Sequence, residues 1–329
     1  MSKNYLSGKE IRAIARENKK VMKKLEAYKY RKCDESDYTT EMKNAENILE
    51  IEDLHTYFFT DQGVVKAVNG VSFNIPKNAT VGVVGESGCG KSVTSMSVMR
   101  LLQAPTGQIY SGEIRFKAKA KDGSEKTYDI AKMPMRDIYK IRGNEIAMIF
   151  QEPMTSLNPV FTIGQQLDEV TFIHNSLATK EDAKSKSIEM LNLVGIAMPE
   201  RVYNSFPHEL SGGMRQRVMI ASAIISRPKL LFADEPTTAL DVNTQESIIQ
   251  LLKKLNQKYQ VGILFISHNL RVVKSLCENV LVMKDGCIIE RGRSDEIFDH
   301  PQEEYTKQLI NAIPTRTKHN KYYELLMAE

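Results

Sequence analysis

No stretch of this 329-residue chain approaches the roughly 20 consecutive apolar residues that cross a bilayer. The longest candidates, such as Val261–Ser267, are strand-sized, so no spanning helix is expected. The opening residues, MSKNYLSGKE, hold no apolar h-region, and no secretory signal is read there. Cysteine is scarce. Cys33, Cys89, Cys277 and Cys287 show neither close pairing nor metal-ligand spacing, and they read as reduced cytosolic thiols. The main body also lacks an excess of charge of either sign. Residues 1–46 contain 12 Lys+Arg and 8 Asp+Glu, which leaves 33 of each sign from the chain totals of 45 and 41. The net charge of +4 therefore belongs to the N-terminal segment, and nothing global attracts a polyphosphate backbone. No repeat of a whole unit is visible.

The remainder is an ordinary folded-domain composition, 42% hydrophobic and 26% charged, in a chain long enough for two or three lobes. Residues 1–46 read as an N-terminal basic helical extension and linker. Ile11, Ile14, Asn18, Val21, Leu25 and Tyr28 recur at helical spacing, with Lys19, Lys20, Lys23 and Lys24 around the stripe. This is a helix docked on its own core, with a membrane surface or a partner as alternatives for the basic face. DESDYTTEMKNAEN then reads as linker. From Ile48 onward short strand-like runs alternate with breaks: ILEIEDL, VVKAVNGVSFNI and ATVGVVG. Helical patterns follow at about 92–102, 164–174, 180–194, 212–226 and 244–259. Apolar strand runs recur at IAMIF, KLLFAD and VGILFIS. Strands alternating with helices predict an α/β fold with a parallel sheet covered on both faces.

Three motifs carry chemistry. GESGCGKS, Gly85–Ser92, fits the phosphate-binding loop G-x-x-x-x-G-K-[ST] and sits between a strand and a helix. Gly85, Gly88 and Gly90 let backbone N–H groups turn toward phosphate oxygens, and the following helix adds its N-terminal dipole. Lys91 reaches the β- and γ-phosphates and Ser92 offers a hydroxyl to Mg²⁺. Glu86, Ser87, Cys89 and Val93 complete the loop and the helix start. KLLFADEPTTALD brings Asp234 to a strand end, where it is a candidate Mg²⁺ ligand, and Glu235 next to it is placed to take a proton from the attacking water. LSGGMRQR caps a second helix with Ser211 and leaves the Gly212 and Gly213 N–H groups bare for an anion. One bound nucleotide needs only one such start, so two chains facing head to tail would use both.

These motifs, with FQEP at Phe150–Pro153 and ISH at Ile266–His268, resemble the set found in ABC ATPases. FQEPMTSLNPVFTIGQQLDE, SGGMRQRVMIASAI and DEIFDHPQEEYTKQLINAIP are similar to the ATP-binding subunits of bacterial oligopeptide and dipeptide importers. The likeness covers roughly residues 48–314. It implies a P-loop NTPase of the ABC type with a parallel-sheet core, an antiparallel β subdomain and an α-helical subdomain. The domains would be an ATPase domain over 47–314, its helical subdomain at about 152–225, and a short tail over 315–329.

The resemblance also implies roles. Gln151 would sense Mg²⁺ and the attacking water, Asp241 would sit in the loop linking two sites across a dimer, and His268 would contact the γ-phosphate and support Glu235. Phe58 stands where the family stacks an aromatic on adenine, with Tyr57 as the alternative. Asn269 replaces the Asp that usually follows the histidine. Many relatives carry C-terminal cysteines suited to an iron–sulfur cluster, whereas no cysteine here lies beyond Cys287, so no cluster is expected. The implied function is an ATP- and Mg²⁺-dependent motor on the cytoplasmic face of the cell membrane. It would drive separate permease subunits with a second ATPase subunit, identical or homologous, and serve an extracellular substrate-binding protein indirectly. Nucleic acid is not an expected partner. A soluble ABC ATPase acting on nucleic acid or ribosomes, an importer of nickel or glutathione, and a non-hydrolysing regulator are the alternatives.

Overall fold

The computed structural model describes residues 7–120, 123–152, 156–175, 177–238 and 240–313; the tail at 315–329 lies outside them. Eleven strands are seen among these residues. They are β1 (Thr39–Thr40), β2 (Asn47–Thr60), β3 (Gly63–Pro76), β4 (Thr80–Val84), β5 (Gly107–Lys119), β6 (Glu125–Asp129), β7 (Ile146–Ile149), β8 (Leu230–Asp234), β9 (Gly262–Ile266), β10 (Asn279–Lys284) and β11 (Cys287–Arg293). They form two sheets. One is antiparallel, in the order β1-β6-β5-β2-β3; the other runs β11-β10-β4-β9-β8-β7. In the second sheet β7, β8, β9, β4 and β10 are parallel, and β11 adds an antiparallel edge.

The apolar runs explain this layering. A strand buried on both faces has no need of polar alternation. Leu231, Ala233, Ile263 and Phe265 point into one core, shared with the helices Ile163–His174, Lys180–Leu193 and Gly212–Ile224. Their neighbours Leu230, Phe232, Leu264 and Ile266 point into a second core, shared with the antiparallel sheet. The sheet is thus a wall between two apolar interiors. The fold is α/β, with a parallel core, an antiparallel β subdomain and a helical subdomain.

Helix starts follow local chemistry. Thr162 with Gln165, and Thr179 with Asp182, form reciprocal capping boxes that open two of the helices of the helical subdomain. The N-terminal helix Gly8–Lys29 opens in the same way with Ser7 and Glu10. It lies against the antiparallel sheet. Asn18, buried on that face, donates to the Thr60 carbonyl at 2.7 Å, and Gln108 Nε2 donates to Glu26 Oε2 at 2.7 Å. Lys19, Lys20, Lys23 and Lys24 stay exposed.

The stretch expected to be a linker is part of the sheet instead. Thr39 and Thr40 pair with Tyr128 and Thr127 of β6. Tyr38 is 6% exposed, its ring lies 5.7 Å from that of Tyr128, and its hydroxyl donates to Asp137 at 3.2 Å. Polar composition hid this, because only one large apolar side chain in the stretch is buried. Tyr38→Ala is expected to cost about 3 kcal/mol, as other large aromatic truncations in cores do. The midpoint of urea unfolding checks it, and a loss below about 1 kcal/mol, the size of an ordinary substitution, would return the segment to linker status.

Candidate functional site

The site gathers at the carboxyl ends of the parallel strands, where β4, β9 and β8 lie side by side. β4 runs into the loop Gly85–Gly90 and then into the helix Lys91–Val98. Backbone demands fix two glycines. Gly90 caps the helix at φ +105°, and a Cβ there would fall 2.3 Å from the Ala67 carbonyl oxygen. A Cβ on Gly85 would fall 2.2 Å from the Met283 carbonyl oxygen. Only residues without a side chain let the loop pass so close to β3 and β10. Lys91 is buried, and its ammonium donates to the Gly85 and Glu86 carbonyls, each at 2.8 Å. Cys89 is also buried, which raises its thiol pKa despite the nearby Lys91.

β8 delivers Asp234, which is 5% exposed and accepts from Ser92 Oγ at 2.9 Å. Burial raises the Asp234 pKa, and Glu235 adds to it, against the lowering effect of Ser92 and Lys91. Glu235 follows with φ +47°, a left-handed conformation that is costly for a residue with a side chain. One of its oxygens gathers three partners. Oε2 accepts from Gln151 Nε2 at 3.2 Å and from Thr238 Oγ1 at 3.0 Å, and lies 3.0 Å from His268 Nδ1. The residues read separately as Gln151, Glu235 and His268 therefore form one cluster. Thr238 was not singled out from sequence; its place three residues after Glu235 in the same turn is the signal that finds it. Asn269 caps the next helix by accepting from the Arg271 amide at 3.2 Å, so the departure from Asp keeps a capping oxygen.

Ser211 caps the helix Gly212–Ile224, accepting from the Met214 amide at 3.3 Å. Gly212 is exposed, with no atom within 4 Å of where a Cβ would stand. Among the described residues no hydrogen bond joins Ser211, Gly212 or Gly213 to the phosphate loop. Gly213 instead lies against Thr244, the residue whose amide and hydroxyl donate to Asp241 at 3.0 and 2.6 Å. The 211–213 turn and Asp241 thus adjoin each other through Thr244.

The two aromatic candidates differ in their surroundings. Tyr57 is 9% exposed, stacks on Tyr110 with ring centroids 4.9 Å apart, and donates to Asn69 at 3.2 Å. Phe58 is half-buried at the β5 edge, beside Gly107. It shares a face of β2 with Thr56, whose hydroxyl bonds Ser97 of the phosphate-loop helix at 2.8 Å.

Comparison with known proteins fits this geometry. The family described as ABC transporter matches residues 68–238. The chain is 48% identical over 268 residues to the oligopeptide transport ATP-binding protein OppD of Bacillus subtilis (strain 168), spanning 82% of this chain and 72% of that protein. It is 44% identical over 269 residues to the dipeptide transport ATP-binding protein DppD of the same organism, spanning 82% and 77%. The chain belongs to the ABC transporter family. Among solved structures, a dimeric ATP-binding cassette in a post-hydrolysis state bound to ADP and Pi superposes with a TM-score of 0.64 at 27% identity, over 75% of this chain and 98% of that one. A second, cbiO1 from Clostridium perfringens, part of the ABC transporter complex cbiONQ, gives 0.63 at 26% identity, over 84% and 99%.

Asp234 carries a testable cost. A carboxyl whose folded-state pKa is raised above its unfolded value destabilises the fold once pH exceeds the unfolded pKa, so the charge weighs on stability at neutral pH. Asp234→Asn keeps an oxygen for Ser92 and removes the charge. The nucleotide-free variant is expected to melt higher than the wild type at pH 7, with the gap closing toward pH 4. Differential scanning fluorimetry at both pH values checks this; a lower melting point at pH 7 contradicts it.

Proposed function

We propose that this chain is the ATP-hydrolysing subunit of a peptide importer. The observation that carries the reading is the meeting of the Lys91 loop with the Asp234–Glu235 strand end, where Gln151 and His268 converge on Glu235. The names of the oligopeptide and dipeptide relatives support peptides as the transported class. ATP would lie with its phosphates on the backbone of Gly85–Val93 and its adenine on Phe58, the half-buried ring. Ser92 and Asp234, oxygen donors 2.9 Å apart, suit a hard cation, and they would hold Mg²⁺, with Gln151, bonded to the adjacent Glu235, as its sensor. A magnesium ion held by Ser92 and Asp234 would supply neutralising charge to the β- and γ-phosphates.

Glu235 then orients the attacking water and accepts its proton, while His268 steadies the carboxylate and contacts the γ-phosphate. The three groups that engage Oε2 set the direction of that carboxylate before water arrives. A second subunit, identical or homologous, would present its own Ser211, Gly212 and Gly213 to the phosphates, with Asp241 at the seam. The exposed, bare start of that helix supports this head-to-tail arrangement.

Among the described residues no helix is long and apolar enough to cross a membrane. The transport path would belong to separate permease subunits, with this chain at the cytoplasmic face. A cleft of about 320 Å³ is lined by Phe150, Leu157, Ile173, His174 and Met219. Phe150 and Ile173 are 38% and 67% exposed, apolar surface that supports the permease seat.

Two experiments test the reading. Glu235→Gln is expected to slow ATP hydrolysis by roughly 10²-fold or more, the range of general-base losses, while ATP binding persists and an ATP-dependent dimer accumulates on size-exclusion chromatography. Adding Ser211→Arg should abolish that dimer and leave ATP binding to the monomer intact; a stable dimer from the double variant rules out the opposing role of Ser211. Phe58→Ala is expected to weaken ATP binding by about 1 kcal/mol, as for one aromatic stack. Titration of a fluorescent ATP analogue measures it, and weakening by Tyr57→Ala in its place would move the adenine contact by one residue.

A further inference from the structure

The peptide group between Gly85 and Glu86 is held at both of its polar ends. Its carbonyl accepts from the Lys91 ammonium at 2.8 Å. Its N–H donates to the hydroxyl oxygen of Tyr305 at 3.0 Å. Tyr305 lies 219 residues further along the chain, on the helix Glu304–Asn311, and outside the 68–238 region that the family match covers. Nothing in the function described so far uses it.

The tyrosine is firmly seated. It is 8% exposed, belongs to the same apolar core as Val84, and has the Lys284 ammonium 4.9 Å from its ring centroid. Its helix is anchored in turn: the Glu290 carboxylate accepts from the backbone N–H groups of Gln302 and Glu303 at 2.8 and 3.2 Å. On the other side the Met283 carbonyl leaves no space for a Cβ at Gly85. The peptide plane is therefore wedged between a packed strand and a packed phenol.

A hydrogen bond to a peptide N–H polarises the carbonyl of that same peptide and makes it a better acceptor. Here that carbonyl is one of the two that hold the Lys91 ammonium. Burial raises the phenol pKa, so at neutral pH the hydroxyl keeps its proton while its oxygen accepts from the Glu86 N–H. We infer that Tyr305 is a positioning residue for nucleotide binding, setting through the Gly85–Glu86 peptide where the Lys91 ammonium stands. The helix Glu304–Asn311 is then a brace of the phosphate loop. This rests on ATP being the ligand of that loop.

Tyr305→Phe removes the one oxygen and keeps the ring. With purified full-length chain and a fluorescent ATP analogue, titrated to millimolar concentration, the variant is expected to bind roughly three- to tenfold more weakly than wild type, the scale of one hydrogen bond. With Lys91→Ala already in place, Tyr305→Phe should cause no further loss. Amide hydrogen exchange on the nucleotide-free proteins should show lost protection confined to residues 85–92. Equal affinity of Tyr305→Phe and wild type overturns the inference, as does the same fold-loss in the Lys91→Ala background. Lost protection spread across the whole chain also overturns it, because that would mark a general packing residue. A wild-type chain that binds no ATP would instead overturn the functional reading on which the inference rests.

Discussion

Two opposite charges are buried at the end of a sheet that is apolar on both faces, and the site is organised around their needs. Lys91 is 6% exposed and Asp234 is 5% exposed. An unpaired buried charge would cost several kcal/mol. The ammonium is met by the Gly85 and Glu86 carbonyls, and the carboxylate by the Ser92 hydroxyl. Each solution requires backbone in a particular place, which is why the loop contains glycines where a Cβ would collide with β3 or β10. It also requires β4 and β8 to end at the same level, separated only by β9. Parallel pairing meets that requirement, since it brings successive strand ends to one edge of the sheet.

The same geometry explains the Glu235 backbone. The residue leaves β8 with its amide tied to the Ile266 carbonyl at 2.9 Å, and it turns left-handed to aim its carboxylate back across the strand ends. Gln151 arrives from the end of β7 and His268 from the end of β9. The strands on either side of β8 thus each send one side chain to a single oxygen that the end of β8 carries. Strain at that position is compatible with the stability of the chain because two apolar cores hold the strands on either side.

Much of this was legible in the amino-acid order. KLLFAD and VGILFIS are apolar without interruption, which marks strands covered on both faces, and they appear as β8 and β9. The helices at 163–174, 180–193, 212–224 and 242–259 lie within two residues of the patterns that announce them. What escaped notice was short or polar. β5 and β6, GQIYSGEIRFKAK and EKTYD, carry charges on the exposed face of the antiparallel sheet and do not stand out as strands. The helices Pro199–Asn204, Ser294–Asp299 and Glu304–Asn311 are too short for a 3.6-residue period to declare itself. The phosphate loop and the Asp234–Glu235 pair follow from local spacing alone. The hydroxyl of Tyr305 does not, because its partner, 219 residues away, is set by tertiary packing, whereas Thr238 sits only three residues after the carboxylate it bonds. Phe58 and Tyr57 lie between these cases: sequence places an aromatic on β2, and only the stacking of Tyr57 on Tyr110 shows which ring is already engaged.

The two-residue strand Thr39–Thr40 has a bearing on how the molecule behaves in bulk. It covers the outer side of β6, at the end of the antiparallel sheet, by pairing with Thr127 and Tyr128. An uncovered strand edge offers a row of free N–H and C=O groups to any other chain, and it invites aggregation. So short a cover cannot itself serve as a template for further addition, and charged Glu35 and Lys126 flank it. The acidic, Thr-rich stretch that precedes the first long strand is in this sense a solubility device. Fusions or truncations placed in it would expose that edge before they disturbed any residue of the nucleotide site.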